Sequence, residues 1–439
     1  MRYQEMSQRE LQREYRKLSA AYREMEQQGL HLDLSRGKPS PEQLELSRKM
    51  LDEVNSGSVL DSVDGTDCRN YGGLDGIPEA KALLAGMVGC RPEQVIVGGN
   101  SSLTLMFDIL SHAMIDGLLG GTPWCQVPNR KFLCPVPGYD RHFAMTEHFG
   151  FELVPVPMLA DGPDMNLVER LVREDASIKG IWCVPKYQNP TGVVFSHEVL
   201  ERFANLKPAA KDFRIFWDNA YCVHDLYPDE AEPLPDILSL CEQAGSPDLV
   251  YEFCSTSKAA FPGAGISGVA ASAANLIELR RVWKFATIGP DKLNQLRQAR
   301  FFRNTAGLKA HMARHAELLR PKFERVEAIL KEDLARSGAG SWTEPKGGYF
   351  ISFDTLPGCA ARTVELCKKA GVKFTPAGAT WPCGRDPEDR NIRLAPSYAS
   401  MEEIEAAVHL FTICVRLAAL ESLTAMQVGS ADMEGERIA

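Results

Sequence analysis

From residue 94 to residue 258 the chain repeats one pattern: a short apolar run, a turn rich in glycine or polar residues, then a helical stretch. The apolar runs at 94–97, 132–134, 152–156, 180–184, 213–217 and 249–253 read as strands. Strands that alternate with helices restrict the fold severely. Parallel neighbours need a crossover, usually a helix, and the crossovers cover both faces of the sheet. The expected fold class is therefore α/β, with a mostly parallel central sheet covered by helices. In such sheets ligands gather outside the carboxyl ends of the strands.

Those ends carry unusual residues. They are, in order, Asn100-Ser101-Ser102, Tyr139, Asn189-Pro190-Thr191-Gly192, Asp218 with Tyr221, and Ser255-Thr256-Ser257-Lys258. Each has a plain structural reading: a strand-to-helix turn, a core aromatic, a tight turn, a cap, a surface lysine. Their joint occurrence on successive strand ends points elsewhere. Hydroxyls and backbone N–H groups at a helix N-terminus can seat a phosphate. The remaining residues add an aromatic face, hydrogen-bond donors, a carboxylate and an amine that can attack a carbonyl. The set suits a phosphorylated aromatic aldehyde.

Composition removes other classes. The net charge of −9 argues against a nucleic-acid-binding surface. The residues before Leu11 are too polar for a signal peptide, and no apolar run is expected to span a membrane. The 12 cysteines include no Cys-x-x-Cys pair. They read as thiols in a reducing, cytoplasmic compartment. His311 and His315 share a helix face with no acidic third ligand at a recognisable spacing, so a solvated face is expected and no metal.

Elsewhere, Ser7-Gln8-Arg9-Glu10 has the form of a capping box. It precedes a helix with one apolar stripe (Leu11, Tyr15, Leu18, Tyr22, Met25), which must dock on the chain's own body or on a partner. Glycine-bearing segments follow around Gly37 and around Tyr71-Gly72-Gly73. After Ala274 long helices are expected from 291 to 330. Small strands follow at 349–353, 373–375 and 391–394, then a helix from Met401 and a polar, frayed end from Gly429.

The chain resembles the fold-type I pyridoxal-phosphate aminotransferases, and within them the aspartate aminotransferase subgroup Ic. The resemblance rests on Asn189-Pro190-Thr191-Gly192, Asp218-x-Ala220-Tyr221, Ser255-x-Ser257-Lys258, Tyr71 with Gly76, and Arg393 ahead of Pro396. It implies pyridoxal 5'-phosphate as cofactor. Lys258 would bind it covalently and move the substrate proton, and Asp218, backed by His142, would pair with the ring nitrogen. Asn189 and Tyr221 would bond the ring oxygen, and Tyr139 would stack on the ring. Asn100, Ser101, Ser102, Ser255 and Ser257 would surround the phosphate. Tyr71 would reach the phosphate of a neighbouring subunit in a homodimer with shared sites. Arg393 and Gly37 would meet the substrate, an amino acid or 2-oxo acid, and the expected pair is L-aspartate and 2-oxoglutarate. A second cation would read the side-chain carboxylate, the candidates being Arg36, Lys38, Lys186 and Lys292.

The resemblance also implies three regions: a helix and arm at 1–60 packing with the small domain, a large cofactor-binding domain at 61–300, and a small α/β domain at 301–439. One position departs from the family pattern. Eight residues after Lys258, where the family usually has an arginine, stands Ile266. A C–S lyase and a MocR-type ligand-sensing domain share the fold and remain alternatives.

Overall fold

The computed structural model describes residues 2–231 and 233–438, with side chains described up to residue 425. The strands are β1 Leu32–Asp33, β2 Val95–Val97, β3 Lys131–Val136, β4 Glu152–Leu159, β5 Gly162–Pro163, β6 Ile178–Cys183, β7 Arg214–Asp218, β8 Val250–Ser255, β9 Ser267–Ala271, β10 Gly340–Trp342, β11 Ile351–Thr355, β12 Val372–Lys373 and β13 Asn391–Leu394. Eight form the central sheet, in the order β2-β9-β8-β7-β6-β3-β4-β5. The β4–β3–β6–β7–β8 pairs are all parallel, as the alternating pattern requires.

The sequence pattern did not reveal β9. It runs antiparallel to both β8 and β2. The link from Ser255 to Ser267 holds no helix, so a parallel return was not available. Within each strand, successive residues enter opposite cores. Leu133, Ile181, Ile215 and Trp217 pack on one face. Phe132, Trp182, Phe216 and Phe253 pack on the other, beneath the helix Ser102–Asp116.

From β3 the chain steps outward to β4, then returns to lay β6, β7 and β8 on the other side. This reversal leaves a crevice at the carboxyl ends of β3 and β6.

A second core lies beside β10-β11-β13, a small antiparallel sheet. The helix Gln8–Gln27 buries Leu11, Leu18 and Tyr22 there with Phe411 and Val415. Tyr22 Oη donates to the Leu366 carbonyl at 2.9 Å. The stripe thus docks on the chain's own body. Leu32 and Asp33 pair in parallel with Val372 and Lys373. The helix Thr305–Leu334 links the two cores, giving Leu308 and Met312 to the first and Leu319 through Leu334 to the second.

The long helices expected from 291 to 330 are Lys292–Phe302 and Thr305–Leu334, parted at Arg303-Asn304. Some sequence expectations need correction. His311 and His315 are not solvated: both are buried, at 6% and 1% exposure. The stretch Met401–Ala425 is long and apolar enough to cross a membrane. Here it serves as a core helix, with Ile404, Val408, Phe411 and Val415 fully covered. The end from Gly429, expected to be frayed, continues the helix Met401–Ile438, its side chains lying outside those described.

Candidate active site

A cavity of about 180 Å³ opens at the carboxyl ends of the parallel strands. Ten of the residues singled out in the sequence line it: Gly37, Ser101, Ser102, Tyr139, Asn189, Asp218, Tyr221, Ser255, Ser257 and Lys258. Lys258 follows β8, and its Nζ stands 4.4 Å from the centre of the Tyr221 ring. Burial pushes the Tyr221 hydroxyl well above its ordinary pKa, and that of Tyr139 to about 12. Both are neutral donors at physiological pH.

Asp218 ends β7 and is buried. Its Oδ2 accepts from His142 Nε2 at 2.9 Å. The His142 ring is stacked on Trp182, with centroids 4.3 Å apart and planes 9° from parallel. Asp218 Oδ1 has no hydrogen-bond partner among the described residues. An orphaned carboxylate oxygen is costly to bury, so a cationic N–H reaching into the cavity would meet a ready acceptor.

Opposite lies the start of the helix Ser102–Asp116. The hydroxyls of Ser101, Ser102 and Ser255 have no hydrogen bond to any described residue, while that of Ser257 donates to the Asn100 carbonyl at 2.6 Å. Unengaged hydroxyls beside a helix N-terminus suit an anion. Asn100 itself is exposed and does not line the cavity, its amide donating at 3.2 Å to the carbonyl of Pro262, which does. Ile266 is buried in the apolar core, and its backbone N–H donates to Thr256 Oγ1. It offers nothing to the cavity. Among the described residues, the cations lining it are Lys38 and Lys258.

Arg393, from β13, bridges the two halves. Its Nη1 donates to Asp140 Oδ1 at 3.1 Å and to Asn189 Oδ1 at 3.2 Å, and its guanidinium lies 4.7 Å from the Phe350 ring centre. Its Nε is buried without a partner among the described residues. Nη1 is thus engaged while Nε keeps an unused donor, and Arg393 is not itself among the residues lining the cavity. Gly37 is required here: a Cβ would sit 2.4 Å from the Phe350 ring.

The four candidate second cations separate clearly. Lys38 lines the cavity and lies 3.8 Å from the Tyr398 ring centre. Lys186 pairs with Asp225 at 2.7 Å and faces a different cavity. Lys292 donates to the Gly72 carbonyl at 2.7 Å. Arg36 is exposed and does not line the cavity. Tyr71 stands outside it, 84% exposed.

The sequence reading missed His224. It packs edge-on against Tyr221 and Tyr349, with both ring nitrogens unpartnered among the described residues. Burial, reinforced by Lys258, holds its pKa well below the ordinary value. A histidine three residues past Tyr221 carries no pattern that would have marked it.

A parallel sheet with a lysine, a buried aspartate and an anion seat at its strand ends defines a fold-type I pyridoxal-phosphate-dependent transferase. Solved structures agree on the fold. An aspartate transaminase from Corynebacterium glutamicum superposes with a TM-score of 0.94 at 44% identity, covering 96% of this chain and 99% of that one. An α-aminoadipate aminotransferase from Thermus thermophilus, at 21% identity, shares the fold with a TM-score of 0.70 over 90% of this chain and 93% of that one. Among sequences, the aspartate aminotransferase of C. glutamicum is 46% identical over 404 residues, 91% of this chain and 92% of the relative. The profile described as aspartate amino-transferase matches residues 6–427, and the chain belongs to that family. It is an aminotransferase.

Proposed function

We propose that this aminotransferase uses pyridoxal 5'-phosphate to exchange an amino group between L-aspartate and 2-oxoglutarate. The observation that carries the cofactor reading is the orphaned Asp218 Oδ1, buried in the same cavity as Lys258. When bound, the cofactor's protonated ring supplies an electron sink for the bonds at the substrate Cα. Asp218 keeps the ring nitrogen protonated, and His142, locked against Trp182, aims the carboxylate. Tyr221 and Asn189 donate to the ring oxygen, and Tyr139 covers a ring face. Ser101, Ser102, Ser255 and the helix N-terminus take the phosphate. The amine of Lys258 holds the cofactor and, once freed, moves the proton to and from the substrate Cα.

Arg393 takes the α-carboxylate, beside Gly37. A dicarboxylic substrate needs a second cation, because an unpaired buried carboxylate is costly. Lys38 is the candidate that the cavity lining supports. We place Tyr71 at a partner subunit's phosphate in a homodimer, a reading its high exposure supports. The two cores support a division into an arm at 1–60, a large domain at 61–300 and a small domain at 301–439. The 12 free cysteines suit a cytoplasmic enzyme.

The test compares kcat/KM for aspartate, alanine and phenylalanine with 2-oxoglutarate as acceptor, in the parent and in Lys38→Met. Aspartate should lead, oxaloacetate and glutamate should appear in equal amounts without ammonia, and Lys38→Met should narrow the lead. A tenfold preference for alanine or phenylalanine, about 1.4 kcal/mol at the transition state, would overturn the substrate. Release of ammonia would overturn the exchange reaction.

A further inference from the structure

Behind Lys258, on the side away from the cavity, lies a chain of buried polar groups that the reaction does not touch. Its centre is Gln43, with 0% exposure, in the short helix Pro41–Glu45. That helix follows directly on Gly37-Lys38-Pro39, which lines the cavity. Gln43 Oε1 accepts the Ser40 backbone N–H at 3.0 Å, which fixes which end of the amide is which. Both Nε2 hydrogens are therefore available as donors. One goes to Tyr349 Oη at 3.2 Å and the other to His315 Nδ1 at 3.1 Å.

The first branch ends on a backbone carbonyl. Tyr349 Oη, having accepted from Gln43, donates to the Lys258 carbonyl at 3.3 Å. The second branch stops at His315. Burial lowers the pKa of both histidines, that of His315 to about 3, so each ring is neutral and carries one N–H. His311 Nε2 donates to the Ala259 carbonyl at 2.9 Å and so has no lone pair for His315 Nε2, which stands 3.1 Å away. Ser47 Oγ sits 3.2 Å from His311 Nε2.

On the opposite side of the same two peptide units, the N–H groups of Ala259 and Ala260 both donate to the Thr256 carbonyl, at 3.0 and 2.8 Å. Each peptide plane is thus held at both ends: the Lys258–Ala259 unit by its own turn and by Gln43 through Tyr349, and the Ala259–Ala260 unit by the turn and by His311. A peptide held at its N–H alone can still rock about that bond. Held at the carbonyl too, it gives the side chain of Lys258 one direction of departure.

We infer that Gln43 is a positioning residue, tying the cavity-lining segment Gly37–Pro39 through Tyr349 to the peptide unit between Lys258 and Ala259 and so fixing the aim of Lys258. The inference rests on the reading of Lys258 as the cofactor lysine. It deepens that reading by coupling the seating of the substrate-side arm to the lysine. Nothing in the amide touches the reacting atoms. Its effect passes through one carbonyl.

The test uses the holoenzyme with Gln43→Met, which keeps length and apolar bulk but removes both donors, and Tyr349→Phe, which removes one hydroxyl. Amide exchange at Ala259, measured with and without cofactor, should accelerate tenfold or more in Gln43→Met. Exchange in the central strands should stay unchanged. The pH midpoint of the bound cofactor's visible absorbance should shift in both variants, and kcat should fall by tenfold or more in Gln43→Met. Adding Tyr349→Phe to Gln43→Met should cost less than Tyr349→Phe costs alone, since the branch is already cut. Unchanged exchange at Ala259 together with an unmoved absorbance midpoint would overturn the inference. If Gln43→Met fails to fold, an unmoved midpoint in Tyr349→Phe overturns it instead. Lys258→Ala separates this outcome from failure of the parent reading. Retained visible absorbance in that variant would remove the cofactor lysine itself.

Discussion

Glu252 shows what burial does to a single carboxyl. It lies in the middle of β8, fully enclosed, and Asn219 Nδ2 donates to its Oε1 at 2.9 Å. Its Oε2 has no partner among the described residues, and burial pushes its pKa up to about 8. The folded state therefore holds this proton more tightly than the unfolded chain does. Its contribution to stability is fully present below about pH 4.5 and is lost as the pH rises through about 8. The loss is on the order of 5 kcal/mol at most. Glu252→Gln cannot ionise, so its melting temperature should fall less between pH 5 and pH 8 than the parent's. Parallel melting curves for the two proteins across that range would show that Glu252 stays charged in the fold. The same residue marks a limit of sequence reading. The alternation that exposes a strand says nothing about an acid placed where apolar residues belong, because its partner, Asn219, comes from the turn after β7. The catalytic candidates were legible because they stand in fixed order at strand ends, where parallel topology must gather them. Gln43 and His315 were not, since 272 positions separate two residues that touch.

At the scale of elements, the large strands could be read from runs such as Ile215-Phe216-Trp217, which no exposed segment tolerates. β9 escaped because Ser267-Gly268-Val269-Ala270-Ala271 is too small-sided to look like a strand. It is recognisable only from the close neighbours that demand small residues. A Cβ on Gly268 would lie 2.8 Å from Leu84. The break at Arg303-Asn304 also escaped, for Asn304 caps the following helix by accepting from the Gly307 N–H at 2.9 Å, with no proline to announce it. That following helix, Thr305–Leu334, has apolar residues fixed in both cores. Melting either core alone would leave half of a continuous rod without its packing, and helices without packing are marginal in water. Calorimetry should therefore record one heat-absorption peak. Two resolved peaks would mean that the rod does not couple the cores.

For the whole molecule, the assembly reading turns on Tyr71, which no surrounding group in its own chain covers. If it completes a partner's site, a mixture of Tyr71→Ala and Lys258→Ala subunits should regain activity that neither shows alone. One of the two sites in each hybrid would then have both residues intact. Demonstrated subunit exchange with no recovered activity would return Tyr71 to its own subunit.

The helix Gln8–Gln27 is made before the central sheet, and the helix beginning at Met401 after it. They share one core, with Leu11 and Leu18 against Phe411 and Val415. A growing chain can close the central sheet once β9 has left the ribosome, but the second core must wait for the helix from Met401. Until that helix emerges, the apolar stripe on Gln8–Gln27 lacks the surface it meets in the folded protein, and a chaperone could cover it.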